Sequence, residues 1–276
     1  MTTPNEGLIS YCMIVKNEAD TLEENLATAR PHVEEMIIVD TGSDDGSLEI
    51  AREYADEVIE IEWPENFSKA RNVGLEEATK DFIMYLDGDE ALSRSEHWVN
   101  IRTKLKEDDP DALAIQIENE LPGNQLLSGD RIWEVRIFRN HPEVRFRGRV
   151  HNQITPGIRE ATDGDPHIEK VEAVSNHIGY SHSREELIEK YSNRISLIRE
   201  EIEEAGSKKW ESYYQYQLVN GLFMIEDYEQ AWEEYEKTDL EALTEENTYS
   251  ILLMGCHLAI DVEKYERASE IASEMI

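Results

Sequence analysis

Asp81-Phe82-Ile83-Met84-Tyr85-Leu86-Asp87-Gly88-Asp89-Glu90 decides how this chain of 276 residues folds. A short apolar segment ends abruptly in three carboxylates. Phe82, Ile83 and Tyr85 fit a buried strand, and Gly88 is expected to let the backbone turn where that strand stops. The acids then sit on a loop at the carboxyl end of a strand, the edge at which open α/β sheets bind ligands. Like charges packed this closely are costly unless something positive lies between them. A hard divalent cation with oxygen ligands meets that need, and Mg²⁺ usually brings substrate phosphates with it. The triplet alone leaves open a solvated acidic turn in an acidic protein.

Upstream of this stretch, strand and helix patterns alternate. Residues 8–15, 36–39 and 58–63 read as strands. Residues 19–30, with the stripe Leu22, Leu26 and Ala29, read as a helix, as do 47–55 and 68–79, the last with Ser68 as its cap. Such βαβα order implies a mostly parallel sheet covered by helices. After a helix at 96–106 the pattern changes. Strands are expected at 112–121, 132–138, 145–154 and 171–178, separated by turn formers, so this half is more antiparallel. Asp163-Gly164-Asp165 lies before Pro166 and follows no apolar strand, so it reads as a turn.

From residue 183 strand signals vanish, and helices are expected at 185–205, 211–225, 228–237, 245–260 and 265–275. Asp227-Tyr228-Glu229-Gln230-Ala231 matches Lys264-Tyr265-Glu266-Arg267-Ala268 at a spacing of 37 residues. That is close to the tetratricopeptide period of about 34 and suggests helix-hairpin repeats. The last helical pattern runs to Ile276 without a capping repeat, so the array is expected to continue or to be covered by a partner.

Charge is the extreme property: 61 Asp and Glu against 27 Lys and Arg, a formal net charge of −34. Such a surface repels nucleic acid and anionic lipid headgroups. It also strains the compact state by self-repulsion, which salt relieves, so a salt-rich cytoplasm is the expected setting, with peripheral membrane attachment as a further possibility. No run of about 18 or more apolar residues suggests a transmembrane helix, and the first residues show no signal-peptide pattern. The two cysteines, Cys12 and Cys256, fall in apolar segments as expected of buried thiols in a reducing compartment.

Four motifs in register carry a family resemblance. They are Cys12-Met13-Ile14-Val15-Lys16-Asn17-Glu18, Ile38-Val39-Asp40-Thr41-Gly42-Ser43, Phe67-Ser68-Lys69-Ala70-Arg71-Asn72 and Tyr85-Leu86-Asp87-Gly88-Asp89-Glu90. Together they resemble family 2 glycosyltransferases of the GT-A fold. Arg136-Ile137-Phe138-Arg139-Asn140, Gly148-Arg149-Val150-His151 and His177-Ile178-Gly179-Tyr180 resemble a branch with tetratricopeptide-like helices behind the catalytic domain. The resemblance implies an α/β Rossmann-like nucleotide-sugar-binding domain with a mixed sheet over residues 1–182. An all-α helical-repeat module follows over 183–276, with truncation at its C-terminus left open.

Carried over residue by residue, the resemblance implies that Val15 and Glu18 lie in the first nucleotide-contacting loop. Asp40, followed by Gly42 and Ser43, matches the acid that reads the base or ribose; an Asx turn is its ordinary alternative. Arg71, with Asn72, matches the arginine that helps hold the diphosphate, against a surface ion pair. Asp89 would coordinate Mg²⁺ or Mn²⁺, with Asp87 reaching the ribose or a metal-bound water. His151 matches a further metal or diphosphate ligand, although Asn152 follows where this branch commonly has Glu; a structural histidine is the alternative. Glu134 is the candidate general base for an inverting displacement, with Asp130 its nearest rival, and an ion pair to Arg136 or Arg147 its alternative.

Six arginines crowd into residues 131–149. They suit either an anionic ligand or pairing with the surplus acid. Trp133 suits either a sugar face or the core. The expected activity is transfer of a sugar from a nucleotide donor, UDP-linked, to a hydroxyl of a saccharide, lipid-linked or polypeptide acceptor. The helices would bind a protein partner or a second copy. The competing expectations are a sugar-nucleotide nucleotidyltransferase, whose glycine- and basic-rich phosphate loop Val15-Lys16-Asn17-Glu18 does not match, and a non-catalytic helical-repeat binding protein.

Overall fold

The computed structural model describes residues 8–118, 131–177 and 184–275. Contacts divide the chain into two compact units, Met1–Gly148 with Asn152–Tyr180, and Arg149–His151 with Ser181–Ile276.

The first unit opens with β1 (Ile9–Val15), α1 (Ala19–Ala29), β2 (Glu35–Asp40), α2 (Ser47–Tyr54), β3 (Glu57–Glu60), α3 (Phe67–Glu77) and β4 (Phe82–Tyr85). β5 (Glu90–Ala91), α4 (Ser95–Glu107), β6 (Ala112–Glu118), β7 (Arg131–Arg139), α5 (Thr155–Ala161) and β8 (Ile168–His177) follow. They form one sheet in the order β3-β2-β1-β4-β7-β6-β8-β5. The first four strands are mutually parallel where they pair. β7 runs antiparallel to both β4 and β6, and β8 returns parallel to β6. The sheet is therefore mixed, as the change of pattern after α4 suggests.

Alternation along β1 explains the layering. Ile9, Tyr11, Met13 and Val15 face one core with Leu22, Leu26 and Ala29 of α1 and Trp98, Ile101 and Leu105 of α4. Cys12 faces the other core, with Leu75 of α3, Tyr85, Phe138, Phe146 and Ile158 of α5. Burying both faces is what lets the central strands read as nearly continuous apolar runs.

Three local expectations are corrected. The strand expected at 145–154 is reduced to a single bridge between Arg147 and Gln153. Gly148 at φ +94° breaks the extended run, and the side chain of Asn72 engages both the N–H and the carbonyl of Phe146. α5 forms between two expected strands where turn formers alone are expected; Pro156 stands in its first turn, where a missing N–H costs nothing. The cap of α3 is Asn66, whose side chain accepts from the Lys69 N–H, while Ser68 donates to the Gly148 carbonyl.

The second unit contains α6 (Arg184–Glu204), α7 (Lys208–Met224), α8 (Tyr228–Tyr235), α9 (Glu245–Asp261) and α10 (Tyr265–Glu274). The sequence repeat is also a backbone repeat. Glu226 and Glu263, the residues before the two matched pentapeptides, both hold positive φ, at +62° and +60°. Ala231 and Ala268 are both buried. Among the described residues no helix is long and apolar enough to cross a membrane.

Close packing of α8 on α9 rests on Gly255. A methyl group there would lie 2.4 Å from the Tyr235 ring. Gly255→Ala is expected to cost about 1–3 kcal/mol by overpacking, although alanine is the better helix former. Urea unfolding in molar KCl measures it; a gain in stability would contradict this packing.

Candidate functional site

Parallel pairing brings three loops to one edge of the sheet. Val15 is in register with Asp40, and Cys12 with Tyr85, so β1, β2 and β4 all end there. The loops after β1 and β2 are tied to each other. The Thr41 N–H reaches the Val15 carbonyl at 3.0 Å, and the Asn17 N–H donates to Ser43 Oγ at 3.1 Å. The Glu18 N–H donates to Ser47 Oγ at 2.8 Å.

Asp40 is buried, and its two oxygens differ. Oδ1 accepts from the N–H groups of Gly42 and Ser43, each at 2.9 Å, with Gly42 in the left-handed region. The Asx turn is thus present, yet Oδ2 is buried without a hydrogen-bond partner. An unmet carboxylate oxygen in a protein interior is costly, which marks it as a position awaiting a donor.

The turn Asp87-Gly88-Asp89-Glu90 closes with the Glu90 N–H on the Asp87 carbonyl at 3.0 Å. Gly88 does not take positive φ among the glycines that do. Its need is different: a Cβ there would meet Glu18 Cγ at 3.0 Å. The three acids have separate environments. Asp87 and Asp89 are half-exposed. Glu90 is 2% exposed and is engaged by the protein, its Oε2 accepting from the Asp87 N–H at 3.2 Å and its Oε1 from Arg136 Nη2 at 2.8 Å.

Two buried arginines flank the Tyr85 ring. Arg71 Cζ lies 5.1 Å and Arg136 Cζ 4.9 Å from its centroid. Arg71 is ion-paired to Asp87 and also packs on Phe146; its Nε and Nη1 have no hydrogen-bond partner. Arg136 bridges Glu90 and, at 3.1 Å, the half-exposed Glu134. Burial opposes the charge on Arg136, but Glu90, Tyr85, Glu134 and Asp87 together outweigh it and raise its pKa. Tyr85 donates to the Val135 carbonyl at 3.0 Å, and burial pushes its pKa up to about 12, so it remains a neutral donor.

Other expected site residues are placed as follows. Val15 offers its carbonyl to Thr41. Asn72 has both ends of its amide committed to Phe146, tying α3 to the loop after β7 instead of reaching toward a ligand. His151 belongs by its contacts to the second unit, with its ring 6.4 Å from that of Tyr213. Burial, with Arg194 adding, lowers its pKa to about 4, which leaves it neutral at neutral pH. Asp130 lies outside the described residues, as do 178–180 and the side chains of Arg131 and His177.

The described members of the arginine cluster engage the chain's own acceptors. Arg139 pairs with Asp109 at 2.7 Å and Arg147 with Glu160. Within the second unit, Arg149 pairs with Glu200 and Glu204, each at 2.8 Å. Arg145 donates to the carbonyls of His141 and Val144. Trp133 is exposed, with Lys170 over its ring at 5.0 Å.

Among the described residues no group of three His, Cys, Asp or Glu side chains could by itself cage a metal. Two half-exposed carboxylates on one turn nevertheless fit Mg²⁺ or Mn²⁺, because such ions are commonly held by one or two carboxylates with substrate phosphates completing the shell. Sequence reasoning missed Thr21, Asn25 and Glu90 as supports of this turn. For Asn25 the available signal was a polar residue inside the apolar stripe Leu22, Leu26 and Ala29.

Comparison with known proteins follows the same line. The model of glycosyl transferase family 2 matches residues 10–157, just over half of the chain. A TPR repeat-containing protein of Synechococcus elongatus is 34% identical over 180 residues, 64% of this chain and 43% of that protein. Glycosyltransferase SunS of Bacillus subtilis is 27% identical over 207 residues, 73% of this chain and 47% of that protein. The chain thus spans less than half the length of these curated relatives. The crystal structure of S. aureus TarS 1–349 in complex with UDP-GlcNAc aligns with a TM-score of 0.52 and 15% identity over 96% of this chain and 90% of that one. That likeness shows the GT-A fold.

The buried pair gives a stability test. Arg136→Ala removes the guanidinium facing the buried Glu90 and is expected to cost about 3–5 kcal/mol, whereas Arg147→Ala at an exposed pair should cost far less. Chemical denaturation of both variants measures the difference, and equal losses would contradict the burial of the Glu90–Arg136 pair.

Proposed function

The chain belongs to glycosyl transferase family 2, and on that premise we propose that it transfers a sugar from a UDP-linked donor to a hydroxyl acceptor with inversion, assisted by a divalent cation. One observation carries this reading. At a single sheet edge, the half-exposed Asp87–Asp89 turn accompanies Asp40, a buried carboxylate with an unmet oxygen. A nucleoside diphosphate satisfies both, because its base or ribose offers donors to Asp40 and its phosphates share a cation with the turn.

In this reading Asp40 and Glu18 hold the nucleoside, and Arg71 orients the Asp87 carboxylate. Asp89 is the principal protein ligand of Mg²⁺ or Mn²⁺, which when bound supplies Lewis-acid stabilisation of the departing diphosphate. Glu134, half-exposed on β7 and steadied by Arg136, takes the proton of the attacking acceptor hydroxyl. The acceptor oxygen bonds to the anomeric carbon as its bond to the diphosphate breaks, so one displacement inverts the centre. The acceptor is a saccharide, a lipid-linked glycan or a polypeptide. The helices of the second unit are assigned to partner or acceptor recruitment, as surfaces of helical repeats commonly are.

The surface acidity fits a salt-rich cytoplasm. From 0.1 M to 1 M salt the Debye length falls from about 10 Å to about 3 Å and removes most of the self-repulsion. The midpoint of thermal unfolding should therefore rise from dilute buffer to molar KCl; an unchanged or lower midpoint would contradict salt adaptation.

Release of UDP from a panel of UDP-sugars in molar KCl with Mn²⁺ or Mg²⁺ tests the activity. Asp89→Ala should lower turnover by about a hundredfold or more. Glu134→Gln should lower transfer by about 10²–10⁴ while donor binding persists. Undiminished turnover in Asp89→Ala would refute the cation assignment, and undiminished transfer in Glu134→Gln would refute the base.

A further inference from the structure

Asn25 is a poor choice for its position by every local criterion. It lies inside α1 on the stripe that faces the core and is 1% exposed. Asparagine is a weak helix former because its side chain competes for nearby backbone groups. Burying its amide is costly unless every polar atom is matched.

Here every one is matched, and the partners belong to one place. Nδ2 donates to the backbone carbonyl of Asp87 at 3.0 Å and to that of Glu90. Oδ1 accepts from the hydroxyl of Tyr11 at 2.7 Å, and Tyr11 is itself fully buried on β1. One helical turn earlier, Thr21 places its hydroxyl 3.2 Å from the Gly88 carbonyl. So α1 holds the carbonyls of Asp87, Gly88 and Glu90, three of the four residues of the turn, from more than 60 residues away in sequence.

We propose that Asn25 is a positioning residue for the cation-holding turn, fixed in turn by Tyr11 and assisted by Thr21. The proposal rests on the reading that Asp87 and Asp89 hold a divalent cation with a nucleoside diphosphate. Arg71 pairs with Asp87, yet two carboxylates two residues apart on one turn still repel each other. Left to itself, such a turn would relax away from its binding geometry and each binding event would have to restore it. The amide of Asn25 anchors both ends of the turn, so the carboxylates stay aimed without touching ligand, and the ordering cost is met on folding. An apolar residue at position 25 would remain buried but remove the donor that joins the two carbonyls, leaving the turn's own Glu90 N–H on the Asp87 carbonyl.

The test uses the whole 276-residue chain, with Mn²⁺ and UDP as probes in molar KCl. Mn²⁺ affinity is read by electron paramagnetic resonance, and UDP affinity by calorimetry with and without Mn²⁺. Asn25→Leu preserves burial and favours the helix. It is expected to weaken Mn²⁺ binding in the presence of UDP by about 10–100-fold, the range typical of residues that orient metal ligands. UDP affinity without metal should stay unchanged. Tyr11→Phe and Thr21→Val, each removing one hydroxyl, should weaken Mn²⁺ binding by smaller factors in the same direction. They carry the test if Asn25→Leu does not fold.

Unchanged Mn²⁺ affinity in these variants would overturn the proposal. So would a parallel loss of metal-free UDP binding and thermal stability, which marks a merely structural role. Asp89→Ala provides the reference. If the wild-type chain shows no Mn²⁺-dependent UDP binding, the underlying reading fails first, and the proposal fails with it. If the wild type binds and Asp89→Ala does not, while Asn25→Leu matches the wild type, only the proposal fails.

Discussion

A carboxylate kept in the interior organises the edge of this sheet. Glu90 is buried against Arg136, and removing two charges from water is worthwhile only if they satisfy each other and their remaining hydrogen-bonding groups. Here they largely do. One oxygen of Glu90 closes the turn on the Asp87 N–H, and the other meets Arg136. Arg136 reaches Glu134 as well and lies over Tyr85. The acidic turn after β4 and the acid on β7 are thereby joined through one guanidinium. Arg71 stands on the same ring and pairs with Asp87. Three acids adjacent in sequence space thus acquire different roles. Glu90 is structural, Asp87 is shared with an arginine, and Asp89 stays half-exposed.

Much of this fold was legible because its signals are local. Apolar runs broken by Gly, Asn and Asp marked β1, β2 and β4, and the stripe of Leu22, Leu26 and Ala29 marked α1. The change from alternating strands and helices to consecutive strands marked the point where β7 enters antiparallel. The mistaken strand at 145–154 shows the limit. Val144 and Phe146 do face an apolar core, but Gly148 turns the chain, and the anchor on Asn72 is a contact 74 residues away. No pattern within a window of ten residues reports that.

The geometry of the candidate site was legible only in part. Asp40, Asp87 and Asp89 stood out because they end apolar strands. What could not be read was the division of labour among the acids, since it depends on Arg136, which lies 46 residues from Glu90. Gly88 was expected for its backbone freedom, and the structure instead packs the Glu18 side chain close against it, 3.0 Å from where a Cβ would lie. The arginine cluster looked like an anion site from composition alone. Its described members are occupied by Glu, Asp or backbone carbonyls, as a large surplus of acid makes easy. Asn25 was the legible clue left unread, a polar residue in the middle of an apolar stripe.

Anomalous diffraction from crystals grown with UDP and Mn²⁺ tests whether the edge formed by β1, β2 and β4 binds a nucleoside diphosphate with a divalent cation. A manganese peak at the Asp87–Asp89 turn is expected, with the uridine against Asp40. A manganese ion bound elsewhere, or UDP bound without contact to Asp40 or the turn, would contradict it.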